Sequence, residues 1–174
     1  LILEGKPSLN GLGWNLSAYG AISKEVRGLP DGHPYGYYGI HNVKAEIEAA
    51  AADYGANATF NTTDIYKIRK FSSGEWDTEV DKYTVNVGGI NFSFKLRKDS
   101  NGDVVPYFLS QHNYKLDITM DQFEHFVVAS FIITDDNGIK YYFDADNREH
   151  AVTADTNTSS LLEDKYTSWL LSKI

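Results

Sequence analysis

Lys82-Tyr83-Thr84-Val85-Asn86-Val87-Gly88-Gly89-Ile90-Asn91-Phe92-Ser93-Phe94-Lys95-Leu96 is the stretch whose reading decides the fold of this 174-residue chain. Tyr83, Val85 and Val87 share one parity and Phe92, Phe94 and Leu96 share another, with Gly88-Gly89 as the turn between the two runs. A period of two is that of a strand, because successive side chains point to opposite faces of a sheet. Downstream, Asp99-Ser100-Asn101-Gly102-Asp103 reads as a turn, followed by a strand with Val105, Tyr107 and Leu109 on one face and another with Tyr114, Leu116 and Ile118. Phe126 to Thr134 is a continuous apolar strand, turned by Asp136-Asn137-Gly138 into Ile139 to Phe143. The last strand is expected around Ser168 to Ile174.

Upstream the period changes. Val43, Ile47, Ala50, Ala51 and Tyr54 recur at helical spacing, so a helix is expected over about 42–54, with Asn42 as N-cap and Gly55 as its stop. A second helical turn is expected over Asp64 to Lys70, with Ile65 and Ile68 inward. Residues 28–39, rich in Gly, Pro and Tyr, read as a loop. Residues 11–27 read as a turn and a strand pair, in which Gly20 supplies the positive φ of a hairpin turn. Six or more short strands against one clear helix predict a mainly β domain, with an α+β arrangement at the margin. It is expected over 1–174 as an antiparallel sheet or sandwich with one short helix packed on it.

Charge limits the partners. Sixteen basic against 24 acidic residues leave −8, which repels phosphate backbones and anionic lipid, so neither nucleic acid nor a membrane surface is an expected partner. No apolar run reaches the ~18 residues needed for a membrane-spanning helix, and no membrane insertion is expected. The absence of cysteine removes thiol catalysis, disulfides and thiolate metal sites.

Gly11-Leu12-Gly13-Trp14-Asn15-Leu16, followed by Ile22 and Val26-Arg27-Gly28-Leu29-Pro30-Asp31, resembles the opening motif of bacterial YD-repeat proteins, the Rhs-type or wall-associated surface proteins. The likeness continues through Asp77-Thr78-Glu79-Val80-Asp81 with Tyr83 and Gly88-Gly89. It runs on to Phe131-Ile132-Ile133-Thr134-Asp135-Asp136-Asn137-Gly138, Tyr141 and Phe143, and ends at Ser168-Trp169-Leu170-Leu171. The chain departs from the family's pattern in having Val80 where Pro is usual, Lys24 where Arg is usual, and no array of YD repeats. The resemblance implies an exported, extracellular or cell-surface module standing at the N-terminal side of a longer protein. Its partners would then be the rest of its own polypeptide or another surface protein, and its role structural or adhesive.

Within that motif Gly11, Gly13, Trp14 and Leu16 read as structural. The glycines let the backbone bend around a large ring, and Leu12, Trp14 and Leu16 face one way in an extended chain, so Trp14 is expected to be buried. Asp77, Glu79 and Asp81 are the sharpest polar row. On an extended segment they share a side, and three hard oxygen ligands would suit Ca²⁺, against the plainer reading of a solvated edge or turn caps. Glycosidase chemistry from Glu75, Asp77 and Glu79 would need carboxylates opposed across a cleft, which neighbours on one strand do not provide. His33, His41, His112, His125 and His150 show no metal-ligand spacing, and no nucleophile elbow or phosphate loop is present. No cofactor and no catalysis are expected. Tyr35, Tyr37 and Tyr38, with Trp76, offer the alternative of a carbohydrate-binding module whose loop aromatics stack on sugar rings. The plainer reading packs those tyrosines over a sheet edge.

Overall fold

The structure is a computed structural model that describes residues 20–57, 59, 61–154 and 161–174, apart from the side chains of 57, 151–154 and 161–165. It is mainly β, as the alternation predicts. The strands are β1 (Ala21–Glu25), β2 (Lys82–Val87), β3 (Ile90–Lys98), β4 (Val104–Phe108), β5 (Lys115–Met120), β6 (Val128–Thr134), β7 (Lys140–Phe143), β8 (Arg148–Ala154) and β9 (Leu161–Leu170). Two helices, α1 (Val43–Asn57) and α2 (Thr62–Ser72), lie between β1 and β2. Six strands form one sheet in the order β4-β3-β2-β1-β9-β8, and β5-β6-β7 form a second. All the strand pairs are antiparallel.

The deciding hairpin folds as its residues require. Gly88 and Gly89 take φ of 56° and 84°, the two-residue turn whose twist matches the flanking strands and which only glycine enters without strain. Val87 then faces Ile90, and Tyr83 faces Phe94. The faces Tyr83–Val85–Val87 and Phe92–Phe94–Leu96 are buried, together with Ile22 and Trp169 of the same sheet. Leu116, Phe131, Ile133, Tyr141 and Phe143 from the second sheet join them in one core. The Phe131 ring joins the layers, lying 5.9 Å from Tyr83, 5.9 Å from Phe94 and 5.1 Å from Trp169. Beyond β9 the chain changes sheets: the Ser172 N–H donates to Tyr142 O (2.8 Å) and the Tyr142 N–H to Lys173 O (2.9 Å), so the end of the chain covers β7.

Several expectations are corrected. α1 runs through Gly55 to Asn57, and Asn42 stands immediately before it at φ 51°, its carbonyl accepting from the Ala45 and Glu46 N–H groups. α2 is a full helix begun by an Asn61–Asp64 capping box, and its buried residue is Asp64, while Ile65 and Ile68 are exposed. Gly20 has no positive φ; it leads into β1 where a Cβ would lie 2.2 Å from Val87 Cγ2. In β4 it is Val104 and Phe108 that pack on the core, and Tyr107 and Leu109 that are exposed. Pro106 sits on this edge strand opposite Leu96, where its missing N–H breaks no ladder. β6 begins at Val128, after Phe126 at φ 55°; β9 ends at Leu170, and β8 had no counterpart in the alternation. Gly11, Gly13, Trp14 and Leu16 lie outside the described residues.

Candidate functional site

Residues 30–42 wind through a chain of tight turns. The N–H groups of His33, Gly36, Gly39 and Asn42 donate to the carbonyls of Pro30, His33, Gly36 and Gly39, each three residues back. So close a winding leaves no room for side chains at its inner positions: a Cβ on Gly36 would lie 2.0 Å from Pro30 O. The loop is fastened to the sheet by carboxylates. Asp81 is fully buried immediately before β2 and accepts from two loop amides, Arg27 N–H at its Oδ1 (3.1 Å) and Asp31 N–H at its Oδ2 (3.0 Å). The Asp81 N–H returns a hydrogen bond to Asp31 Oδ2 (3.3 Å). Lys24 Nζ on β1 stands 3.5 Å from Asp81 Oδ2.

This is a reciprocal clasp between residues fifty apart in sequence. Burial, and next the charge of Asp81, push the Asp31 carboxyl up to about 8, so the fold favours its protonated form, and Lys24 stands beside the pair. Asp31 Oδ1 is buried without a hydrogen-bond partner, which costs far less for a neutral carboxyl than for a carboxylate. Asp77 is buried beside them, its Oδ1 accepting from the Glu79 N–H (3.0 Å), and burial raises it to about 6. Its own N–H donates to Tyr35 O (3.0 Å) and ties the segment after α2 to the loop.

The row Asp77, Glu79, Asp81 therefore does not act as three parallel ligands. Strand geometry begins only at Lys82, and Glu79 turns outward to Arg27 (3.5 Å). Among the described residues no three His, Cys, Asp or Glu side chains come together as a metal site. Asp99 and Asp135 are turn residues: each accepts two backbone N–H groups with its Oδ1, Asn101 and Asp103 in the first case, Asn137 and Ile139 in the second.

The tyrosine set divides. Tyr38 is buried, stacked on Phe126 (4.3 Å between ring centres), and Tyr37 meets it edge-on at 84°, so the three do not form one flat platform. Tyr35 stays exposed, stacked on His41 (4.4 Å, 10°), and lines a cleft of about 550 Å³ with Tyr66, Lys70, Glu75 and Trp76. Tyr66 and Lys70 are one turn apart on α2, and Lys70 Nζ lies 5.5 Å from the Tyr66 ring centre. Trp76 rests edge-on against Phe71 (5.4 Å). Lys70 is paired with Glu75, which also accepts from Ser73 Oγ (3.2 Å). That pairing raises the Lys70 pKa and lowers that of Glu75. Tyr35 and Trp76 were legible as candidates; Tyr66, His41 and Lys70 were not, because only the fold brings α2 against the loop.

Fold and site together define a mainly β protein of two antiparallel sheets, with a carboxylate-clasped loop and an aromatic cleft beside it. Comparison with family models, curated proteins and solved structures returns no match. No helix among the described residues is long and apolar enough to cross a membrane.

Proposed function

We propose that this chain is a non-catalytic structural or interaction module of an exported bacterial surface protein, of the kind that opens YD-repeat proteins. The observation that carries the reading is the use made of Asp81. Its two oxygens are spent on main-chain amides of the loop and on Lys24, so the most deeply buried carboxylate among the described residues holds a fold together. The neighbouring cleft, lined by Lys24, Tyr83, Glu124, His125 and Trp169, does not include Asp31, Asp77 or Asp81.

Exposed apolar side chains favour contact with further polypeptide: Ile40, Ile65 and above all Phe123, which is 96% exposed. Such groups gain most when another surface covers them. The partner is then the remainder of the same protein or a second surface protein. In bacteria producing the full-length protein, an antibody raised against this chain should label intact cells, and the reading frame should carry YD repeats after Ile174. Labelling only after permeabilisation, or a frame without repeats, would overturn the reading.

A further inference from the structure

The cleft formed by Tyr35, His41, Tyr66, Lys70, Glu75 and Trp76 does no work in the module reading. We propose that it binds an uncharged pyranose sugar, alone or at the end of a short glycan. Its volume, about 550 Å³, falls inside the ~300–1,000 Å³ range of small-ligand sites. Tyr66 is 56% and Tyr35 41% exposed, so both rings are accessible to a ligand entering the cleft. Three kinds of element supply the lining. The turn-rich loop gives Tyr35 and His41, α2 gives Tyr66 and Lys70, and the turn after α2 gives Glu75 and Trp76. They are held in place by the backbone, through Asp77 N–H to Tyr35 O (3.0 Å) and Trp76 N–H to Lys70 O (3.2 Å), so the site is formed before any ligand arrives.

The chemistry selects a sugar. An aromatic ring takes the C–H face of a pyranose, while the hydroxyls at the ring's edge need donors and acceptors together. The Lys70–Glu75 pair offers both within the same cleft, an ammonium and a carboxylate. The pair's charges cancel, and the chain as a whole carries −8, so an anionic sugar gains nothing here and an uncharged one loses nothing. A flat apolar ligand without hydroxyls would strip water from Lys70 and Glu75 and return no hydrogen bonds. The inference goes beyond the module reading and does not depend on it.

Saturation-transfer NMR of the whole chain with cellobiose, lactose and chitobiose tests it. At least one of the three should give saturable signals on its ring C–H protons. Tyr66→Ala removes a side chain that is exposed on a helix, so its fold is retained, and binding should weaken by roughly tenfold or more. Trp76→Ala should act in the same direction. Tyr107→Ala, which removes an exposed tyrosine from edge strand β4, should leave binding unchanged. Silence with all three disaccharides, or equal binding by wild type and Tyr66→Ala, would overturn the assignment. Neither result touches the surface-labelling test, so failure here and failure of the module reading are told apart.

Discussion

Asp81 concentrates the energetics of the loop in one side chain. Its carboxylate satisfies the Arg27 and Asp31 amides and faces Lys24, whose side chain is 12% exposed. Removing it would orphan one buried and one part-buried donor and leave an ammonium without its counter-charge. Breaking a buried pair from one side costs about 3–5 kcal/mol, far more than the pair itself contributes over an apolar substitute. Asp81→Ala is therefore expected to lower unfolding stability by about that amount, read from the urea midpoint. The exposed Asp117→Ala, whose Lys115 partner is solvated, should move it by less than about 1 kcal/mol. A loss for Asp81→Ala no larger than for Asp117→Ala would mean the clasp is incidental. In the sequence Asp31 is one residue of the loop over 28–39. Nothing local marks it as the partner of a residue fifty positions away, because the pairing exists only once β1 and β2 have aligned.

The elements show where local pattern suffices and where it fails. Alternation reads a strand correctly when one parity is apolar and the other polar, as in Tyr83–Val87 and Phe92–Leu96. In β4 the run Val104-Val105-Pro106-Tyr107-Phe108 is apolar on both parities, and the register with β3 decides: Phe108 stands opposite the core residue Phe94, so Val104 and Phe108 turn inward. β8 has no such alternation and is made by its pairing with β9. Helical spacing likewise names a stripe but not what covers it, and Ile65 and Ile68 form a stripe with no neighbour among the described side chains to bury it. α1 also carries Gly55 in its interior, where nothing lies within 4 Å of an added Cβ. Glycine inside a helix costs about 0.5–1 kcal/mol relative to alanine. Gly55→Ala should raise stability by about that much, seen as a higher thermal midpoint. A lower one would mean that Gly55 ends the helix in solution, as the sequence suggested.

At the scale of the whole molecule, the clasp makes stability depend on pH. Asp31 sits between Lys24 of β1, Asp81 immediately before β2, Tyr83 near the start of β2, and Asp77 further upstream. Folded, its carboxyl titrates near 8 rather than 3.8, and that of Asp77 near 6. A raised carboxyl pKa means the folded state holds its proton more tightly than the unfolded chain. The stabilisation is complete below about 4, and it is lost as pH rises through 6 for Asp77 and 8 for Asp31. His112 works the other way: burial lowers its pKa, so its contribution improves as pH rises toward 6.5. Asp121, whose carboxyl is lowered by the Phe123 N–H, withdraws its contribution only below about 4. Asp31 governs the window from 5 to 8, because it is the most deeply buried of these groups and its range spans the whole interval. The full effect would approach 4 kcal/mol at about 1.4 kcal/mol per pH step. Water and relaxation around the charged form offset part of this, so a loss on the order of 2 kcal/mol is expected, which lowers the melting temperature by about 4–8 °C in a chain of this size. Thermal melts at pH 5 and pH 8 give that difference directly. Asp31→Asn keeps the shape of the protonated carboxyl and cannot ionise, so its melt should fall less from pH 5 to pH 8 than that of the wild type, the remaining fall being that of Asp77, and should exceed the wild-type melt at pH 8. A wild-type melting temperature that is flat or rising from pH 5 to 8 would show that Asp31 is ionised in the fold, and that the clasp is a pair of charges held by Lys24 and the loop amides alone.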